Sequence, residues 1–339
     1  MQRFLSPTYV FSALLGLALV FMSSSALAQY QAVNLVSDLA GKALHQDPLL
    51  KNPWGLVYAP GGAFWVSDEA SGWSTLYDGK GDPQSLQVVV PSATGSGAGS
   101  PTGIVYNGST EFKIDTWTSV FLFATLDGTI QGWSDFNPSA SLIAVTSSGA
   151  AYTGLAITSK TSGNSLFAAD AANNKVDIYD GNFNLVSTFT DPAIPAGFAP
   201  FGIQDINGKV YISYAATNGG PGGYIDIMSE SGTLEKHFAH GKPLNQAWGF
   251  AVAPANFGPL SSSLLITNNT STGGINGYNV TTGKLVGTMM NTAGKALAIN
   301  GLWGIEFGGG TSSNGQKNQL FYTAGPNDTD GYFGVISFK

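Results

Sequence analysis

One short pattern recurs along the chain and constrains its fold more than any other feature: a residue, then a glycine, then a bulky apolar residue that opens a run of strand character. It occurs six times, as Trp54-Gly55-Leu56, Thr102-Gly103-Ile104, Thr153-Gly154-Leu155, Phe201-Gly202-Ile203, Trp248-Gly249-Phe250 and Trp303-Gly304-Ile305. The glycines are 48, 51, 48, 47 and 55 residues apart. A near-constant period of about 50 residues is the length of one four-stranded propeller blade. The third unit shows the internal grammar best, with apolar runs at residues 154–157, 166–170, 175–180 and 185–189. Four short strands fit each unit. The third of them leads into Asp78-Gly79, Asp180-Gly181, Ser231-Gly232 or Thr282-Gly283, where glycine supplies a left-handed residue for a tight hairpin.

The chain ends test the pattern. After Trp303 only three strand-like runs remain, so the sixth blade lacks an outer strand. Residues 31–36 have strand character and no blade of their own. They are predicted to pair with the last strand and close the ring, hiding a sheet edge. The predicted fold is all-β: a single six-bladed β-propeller of four-stranded blades, closed by an N-terminal strand and spanning residues 29–339.

Composition agrees and removes several function classes. With 43% hydrophobic and 10% charged residues the chain is too apolar and too weakly charged for disorder. Its 14 basic against 21 acidic residues give a net charge of −7, which argues against nucleic acid and anionic lipid as partners. There is no cysteine, hence no disulfide, thiolate nucleophile or cysteine metal site. Residues 1–28 carry Arg3, an apolar run of about 14 residues and Ala26-Leu27-Ala28, the form of a cleaved secretory signal peptide and too short for a membrane anchor. The expected mature protein begins at Gln29 and is a secreted, extracellular or periplasmic monomer with no membrane anchor. Neither a dinucleotide fingerprint nor a phosphate-binding Gly-Lys-Ser/Thr loop is present, in keeping with export.

Pro53-Trp54-Gly55-Leu56-Val57 followed by Phe64-Trp65-Val66-Ser67-Asp68, together with the third unit, resembles NHL-type propeller repeats. Residues 121–133, from Phe121 through Asp127-Gly128 to Trp133, resemble a conserved-hypothetical secreted family related to NHL proteins. The resemblance covers essentially the whole mature chain. It implies the propeller fold and leaves the chemistry open, since propellers serve as binding modules, lyases, lactonases and scaffolds.

Candidate site residues follow from the architecture. The innermost strands line the central channel, and the loops that lead into them share one face of the disc with the loops joining second and third strands; a ligand is expected there. Asp68, Asp127, Asp170 and Asn268 fall at the ends of second strands on that face. Hard oxygen donors from several blades could hold Ca²⁺ or another oxygen-preferring cation. The plainer alternative is that these residues serve their own turns, where a carboxylate accepts backbone N–H bonds. Two positions after each anchor glycine the chain reads Val57, Val105, Ala156, Gln204, Ala251 and Glu306. Gln204 and Glu306 break that apolar set, and a desolvated Glu306 is the candidate general base; contact with channel water or a lysine partner is the plainer alternative. Trp54, Trp248 and Trp303, with Asn52, Gln246 and Asn300 close before them, form a candidate platform for a sugar or aromatic ligand, or simply pack between blades. His237 and His240, three apart in an expected outer strand, point to opposite sheet faces and make a poor metal pair. Two function classes therefore stand: a non-catalytic binding or scaffold propeller recognising a glycan, small molecule or protein, and a metal-assisted hydrolase or lyase of the lactonase-like or NHL-like type using Glu306 as base.

Overall fold

The computed structural model describes residues 29–160 and 163–339; the expected signal peptide lies outside them. The described chain forms six blade sheets set around one axis, with a separate two-stranded hairpin, Lys113–Ile114 and Trp117–Thr118, inserted after the innermost strand of blade 2. Their innermost strands are Pro53–Tyr58, Pro101–Tyr106, Tyr152–Ile157, Phe198–Ile206, Ala247–Val252 and Leu302–Phe307, each containing one anchor. Blades 1 to 5 are four-stranded in simple sequence order, from the axis outward. In blade 6 the three C-terminal strands are completed by Tyr30–Ser37, antiparallel to Tyr332–Phe338, with Val33 opposite Val335. The predicted closure is what the fold uses. A two-residue strand, His45–Gln46, adds to the rim of this blade in parallel.

The anchor glycines have a physical cause. A Cβ placed on Gly55 would lie 2.6 Å from the carbonyl oxygen of Thr102, on Gly249 2.6 Å from that of Trp303, and on Gly304 2.7 Å from that of Trp54. Gly103 meets the backbone of Leu155 in the same way, Gly202 the carbonyl of Trp248, and Gly154, more loosely at 3.1 Å, the carbonyl of Phe201. Each glycine thus lets its strand approach the backbone of the next blade's anchor, all the way round the ring. Buried hydroxyls bind the same seams. Thr323 accepts the Gly304 N–H and donates to the Trp54 carbonyl at 2.7 Å; Thr267 does so between Gly249 and Trp303, and Ser213 between Gly202 and Ala247.

The apolar core divides by blade interface. The residue after each anchor glycine packs toward the preceding blade and the one after that toward the following blade: Leu56 joins Phe321 and Phe333 of blade 6, whereas Val57 joins Ile104 and Phe121 of blade 2. Hairpin chemistry partly departs from expectation. Gly232 and Gly283 are left-handed as predicted, but in blades 1 and 3 that conformation falls on Gly81 and Phe183. Gly79 and Gly181 are required instead for close approach, to Gly315 and to the Glu111 side chain.

Candidate functional site

The residues preceding the anchor glycines determine what fills the channel. Trp54, Phe201, Trp248 and Trp303, from four blades, converge on the axis together with Leu126. Trp54 and Trp303 stack with ring centroids 3.7 Å apart and an interplanar angle of 18°, and Trp248 meets both edge-on near 6 Å. The Trp248 indole N–H crosses to the Thr153 carbonyl at 2.8 Å, and that of Trp303 donates to Asn52 Oδ1 at 3.1 Å. The three indoles are buried. They act as a plug closing the channel on the side of the loops that lead into the innermost strands, hereafter the upstream face. Asn52 belongs to this plug: its side-chain amide donates to Glu69 at 2.8 Å, and its backbone is left-handed. Gln246, also left-handed, donates to the carbonyls of Ala216 and Gly220 and lines a shallow depression on the same face, whereas Asn300 is exposed in the loop before blade 6.

Beyond the plug the channel opens on the opposite, downstream face as a cavity of about 240 Å³. Its floor includes Trp248 and its wall is mostly aliphatic, with Leu56, Val57, Ile104, Val105, Leu155 and Ile203. Into this wall are set Glu306, Gln204, Asp205, Tyr58 and Tyr106. The position that packs toward the following blade is apolar in blades 1, 2, 3 and 5, so Glu306 and Gln204 place polar groups where the repeat elsewhere buries a hydrocarbon. Burial pushes the Glu306 carboxyl up to about 7, partly offset by the Phe307 backbone N–H. Burial, reinforced by Glu230, pushes Asp205 up to about 6, and its Oδ1 has no hydrogen-bond partner. The Tyr58 phenol is pushed up to about 12 by burial and by the neighbouring Glu306. A carboxyl that titrates near neutrality in a mostly apolar cleft is suited to pairing with a cation or to moving a proton.

The four expected oxygen donors are not assembled into a ring. Asp68 bonds the neighbouring strand and leaves its buried Oδ1 without a partner, and the other three are tied to the loops beside them. Asp68 accepts the Thr75 N–H at 3.0 Å; Asp127 accepts from Ala93 and Thr125; Asp170 accepts from Ala151, Asn173 and the Asn173 side chain; Asn268 accepts from Asn245 and donates to Pro243. The strand register places these residues level with the start of the innermost strand, Asp68 opposite Pro53 and Asp170 opposite Tyr152, while Glu306 lies near its end, opposite Phe321. The aromatic plug stands between the two levels. Among the described residues the one group of three His, Asp or Glu side chains that brings its ligand atoms within 4.8 Å of one another is elsewhere, at Asp191, Asp226 and His237.

Sequence reasoning placed Glu306 and Gln204 at the cavity but missed Asp205, Tyr58 and Tyr106. All three stand one position further on, third after the anchor glycine, where the series reads Tyr58, Tyr106, Ile157, Asp205, Val252 and Phe307. An acid in that otherwise apolar and aromatic column is the signal that would have found Asp205. On the upstream face indole bulk at the anchors fills the axis, beside a depression of about 350 Å³ lined by Phe201, Ala216 and Gln246, while the axial cavity opens downstream.

No known family model matches the chain. It is similar to three uncharacterized proteins of Acanthamoeba polyphaga mimivirus. R648 is 29% identical, with 89% of this chain and 78% of that protein aligned. R640 is 31% identical, with 77% of this chain aligned to about half, 52%, of that protein, and L690 is 29% identical, with 83% and 79% aligned. Among solved structures it is similar to a glucose dehydrogenase (TM-score 0.56, 12% identity, 90% of this chain and 98% of that one) and to a streptogramin B lyase (0.55, 12%, 94% and 100%). A catalytically inactive virginiamycin B lyase from Staphylococcus aureus with quinupristin is similar to the same degree (0.54, 12%, 91% and 99%). These likenesses bear out the propeller resemblance at the level of the fold.

Proposed function

We propose that the chain is an exported, non-catalytic binding propeller whose downstream axial cavity takes a small molecule carrying a cationic or otherwise hydrogen-bond-donating group. The observation that carries this is the cavity itself: closed at one end by the aromatic plug, walled by aliphatic side chains, and equipped with two desolvated carboxyls, Glu306 and Asp205, and the amide of Gln204. Its volume is below the ~300 Å³ at which drug-sized pockets begin, which favours a compact ligand. A cationic group gains most there, because it restores the charge partner that burial denies the carboxyls. The net negative charge of the protein draws such ligands and repels anions.

The test is a thermal-shift series with small alkylammonium and guanidinium compounds and their neutral isosteres. Members that fit raise the Tm of the wild-type chain and lose most of that effect in Glu306→Gln and Asp205→Asn. Equal shifts from the neutral isosteres, or from both variants, refute the reading. One observation favours a second, enzymatic reading: a Glu306 carboxyl near 7 has the acidity of a general base at neutral pH. In that reading Glu306 moves a proton on a ligand held in the same cavity. The metal-assisted form gains no support from Asp68, Asp127, Asp170 and Asn268, which stand on the far side of the plug.

A further inference from the structure

Away from the axis, at the outer part of the seam between blades 3 and 4, three side chains from three different segments meet. Asp191 lies in the loop after the outer strand of blade 3, Asp226 in the third strand of blade 4 (Tyr224–Ser229), and His237 directly opposite Asp226 in the outer strand (Leu234–His240). His237 Nδ1 is 3.0 Å from Asp226 Oδ1 and 3.3 Å from Asp191 Oδ2. The two carboxylates are buried, with side chains 1% and 3% exposed, while the imidazole is 54% exposed. One oxygen of Asp191 is used by the Ala193 N–H. Asp191 Oδ2, Asp226 Oδ2 and the buried Tyr214 hydroxyl have no hydrogen-bond partner.

One oxygen of each carboxylate and His237 Nδ1 lie within 4.8 Å of one another, and two buried carboxylates this close are a costly arrangement unless a cation joins them, either the His237 imidazolium or a metal ion that takes the place of its proton. We propose that Asp191, Asp226 and His237 form a binding site for a divalent transition cation of the Zn²⁺ type, open to solvent on the imidazole side. Distances select the cation. Tetrahedral bonds of about 2.0–2.2 Å set neighbouring ligand atoms roughly 3.3 Å apart, close to the 3.0 and 3.3 Å from His237 Nδ1 to the two carboxylates. Ca²⁺ bonds at about 2.3–2.6 Å and wants six to eight oxygens, more than this cluster offers, and an imidazole is a ligand for Zn²⁺, Co²⁺ or Ni²⁺ rather than for Ca²⁺. Bound there, the ion ties the loop between blades 3 and 4 to the outer hairpin of blade 4. The site is independent of the axial cavity and of any ligand bound in it.

The experiment is calorimetric titration of Zn²⁺ into chelator-treated protein, with Co²⁺ visible absorption as a readout of the coordination sphere. Expected is one equivalent of Zn²⁺, weakened at least about tenfold in His237→Gln, and a Co²⁺ spectrum of low-symmetry four- or five-coordination that His237→Gln abolishes. His237 is exposed on an outer strand, so that variant keeps its fold, which circular dichroism checks; Asp191→Asn, which preserves shape and removes charge, gives the same loss. No uptake by the folded wild-type chain overturns the proposal. So does uptake unchanged in His237→Gln, which would place the metal on His45, His240 or another surface group, and so does Ca²⁺ binding that competes with Zn²⁺ at equal strength.

Discussion

Replacing Glu306 by Gln removes the ionisable group from the cavity wall while keeping its shape and its capacity to accept the Phe307 N–H. Burial raises the Glu306 carboxyl from 4.5 to about 7 in the folded chain. Between those two values the folded state holds a proton that the unfolded chain has lost, so stability falls as pH rises through this window. Below about pH 4.5 the carboxyl is neutral in both states and costs nothing; above about pH 7 it is charged in both and the whole desolvation cost is felt. At about 1.36 kcal/mol per pH unit the full displacement is worth roughly 3 kcal/mol, and water in the open channel mouth reduces that to about 1–3 kcal/mol. Urea unfolding of both proteins at pH 4, 6 and 8 measures it. The variant matches the wild type at pH 4 and exceeds it by about 1–3 kcal/mol at pH 8, while other titrating groups cancel in the difference. A difference that is flat with pH, or a wild type that is the more stable at pH 8, would falsify the assignment of Glu306 as a desolvated carboxyl.

Three further outcomes are expected. Gly202→Ala, whose Cβ would fall almost on the Trp248 carbonyl oxygen, costs several kcal/mol or abolishes soluble expression, whereas Gly154→Ala, with 3.1 Å to the Phe201 carbonyl, costs about 1 kcal/mol; similar losses at both sites would show that seam clearance is not what the anchor glycines supply. Tyr30→Phe loses a hydroxyl that donates to Phe257 at 2.7 Å and accepts from Leu260 at 3.0 Å, and should lower unfolding free energy by about 1–3 kcal/mol in denaturant titrations; no loss would mean that the closing strand is held by its sheet alone. Trp303→Ala takes one face from the stacked pair and leaves Asn52 Oδ1 without its partner, a cost of about 3–5 kcal/mol; a near-neutral effect on Tm would contradict a packed plug.

The architecture was legible because it is repeated. Six anchors at one period report six equivalent backbone approaches, and the unpaired strand at residues 31–36 follows from counting strands in blade 6. What the repeat could not tell was how unlike side chains from different blades meet. Thr102 and Thr153 occupy the same repeat position as Trp54, Trp248 and Trp303, yet their hydroxyls reach for backbone carbonyls, such as that of Tyr152, while the indoles fill the axis. Four bulky aromatic groups at one level of a six-fold ring close it, so the axial cavity opens on the other face. Likewise, period-two alternation wrongly separates His237 from His240: the register sets them opposite Asp226 and Tyr224, two residues apart on one strand and therefore on one face, and the ring of His240 stacks on Tyr224. Alternation says nothing of the partner across the hairpin, and that pairing, Asp226 opposite His237, depends on a bulge between Ile225 and Asp226 that no local pattern announces.

The departures from the repeat carry the functional argument, and they are not scattered. At the two positions after the anchor-plus-one residue, blades 4 and 6 supply Gln204, Asp205 and Glu306, while blades 3 and 5 offer only Ala156, Ile157, Ala251 and Val252. A propeller that needed only a stable ring would gain by making all of these positions apolar, because each carboxyl here is desolvated and loses part of its hydration without a fixed counter-charge. The cost falls on the rim of the one axial cavity, in the seam residues that face open volume. Desolvated carboxyls stand elsewhere too, at Asp68 and Asp226, but at this mouth they replace apolar residues of the repeat on a concave surface, a pattern that binding sites impose on folds. On the proposed binding reading, the ring positions are architecture and the three polar substitutions at the downstream mouth are the part of the chain shaped by what enters it.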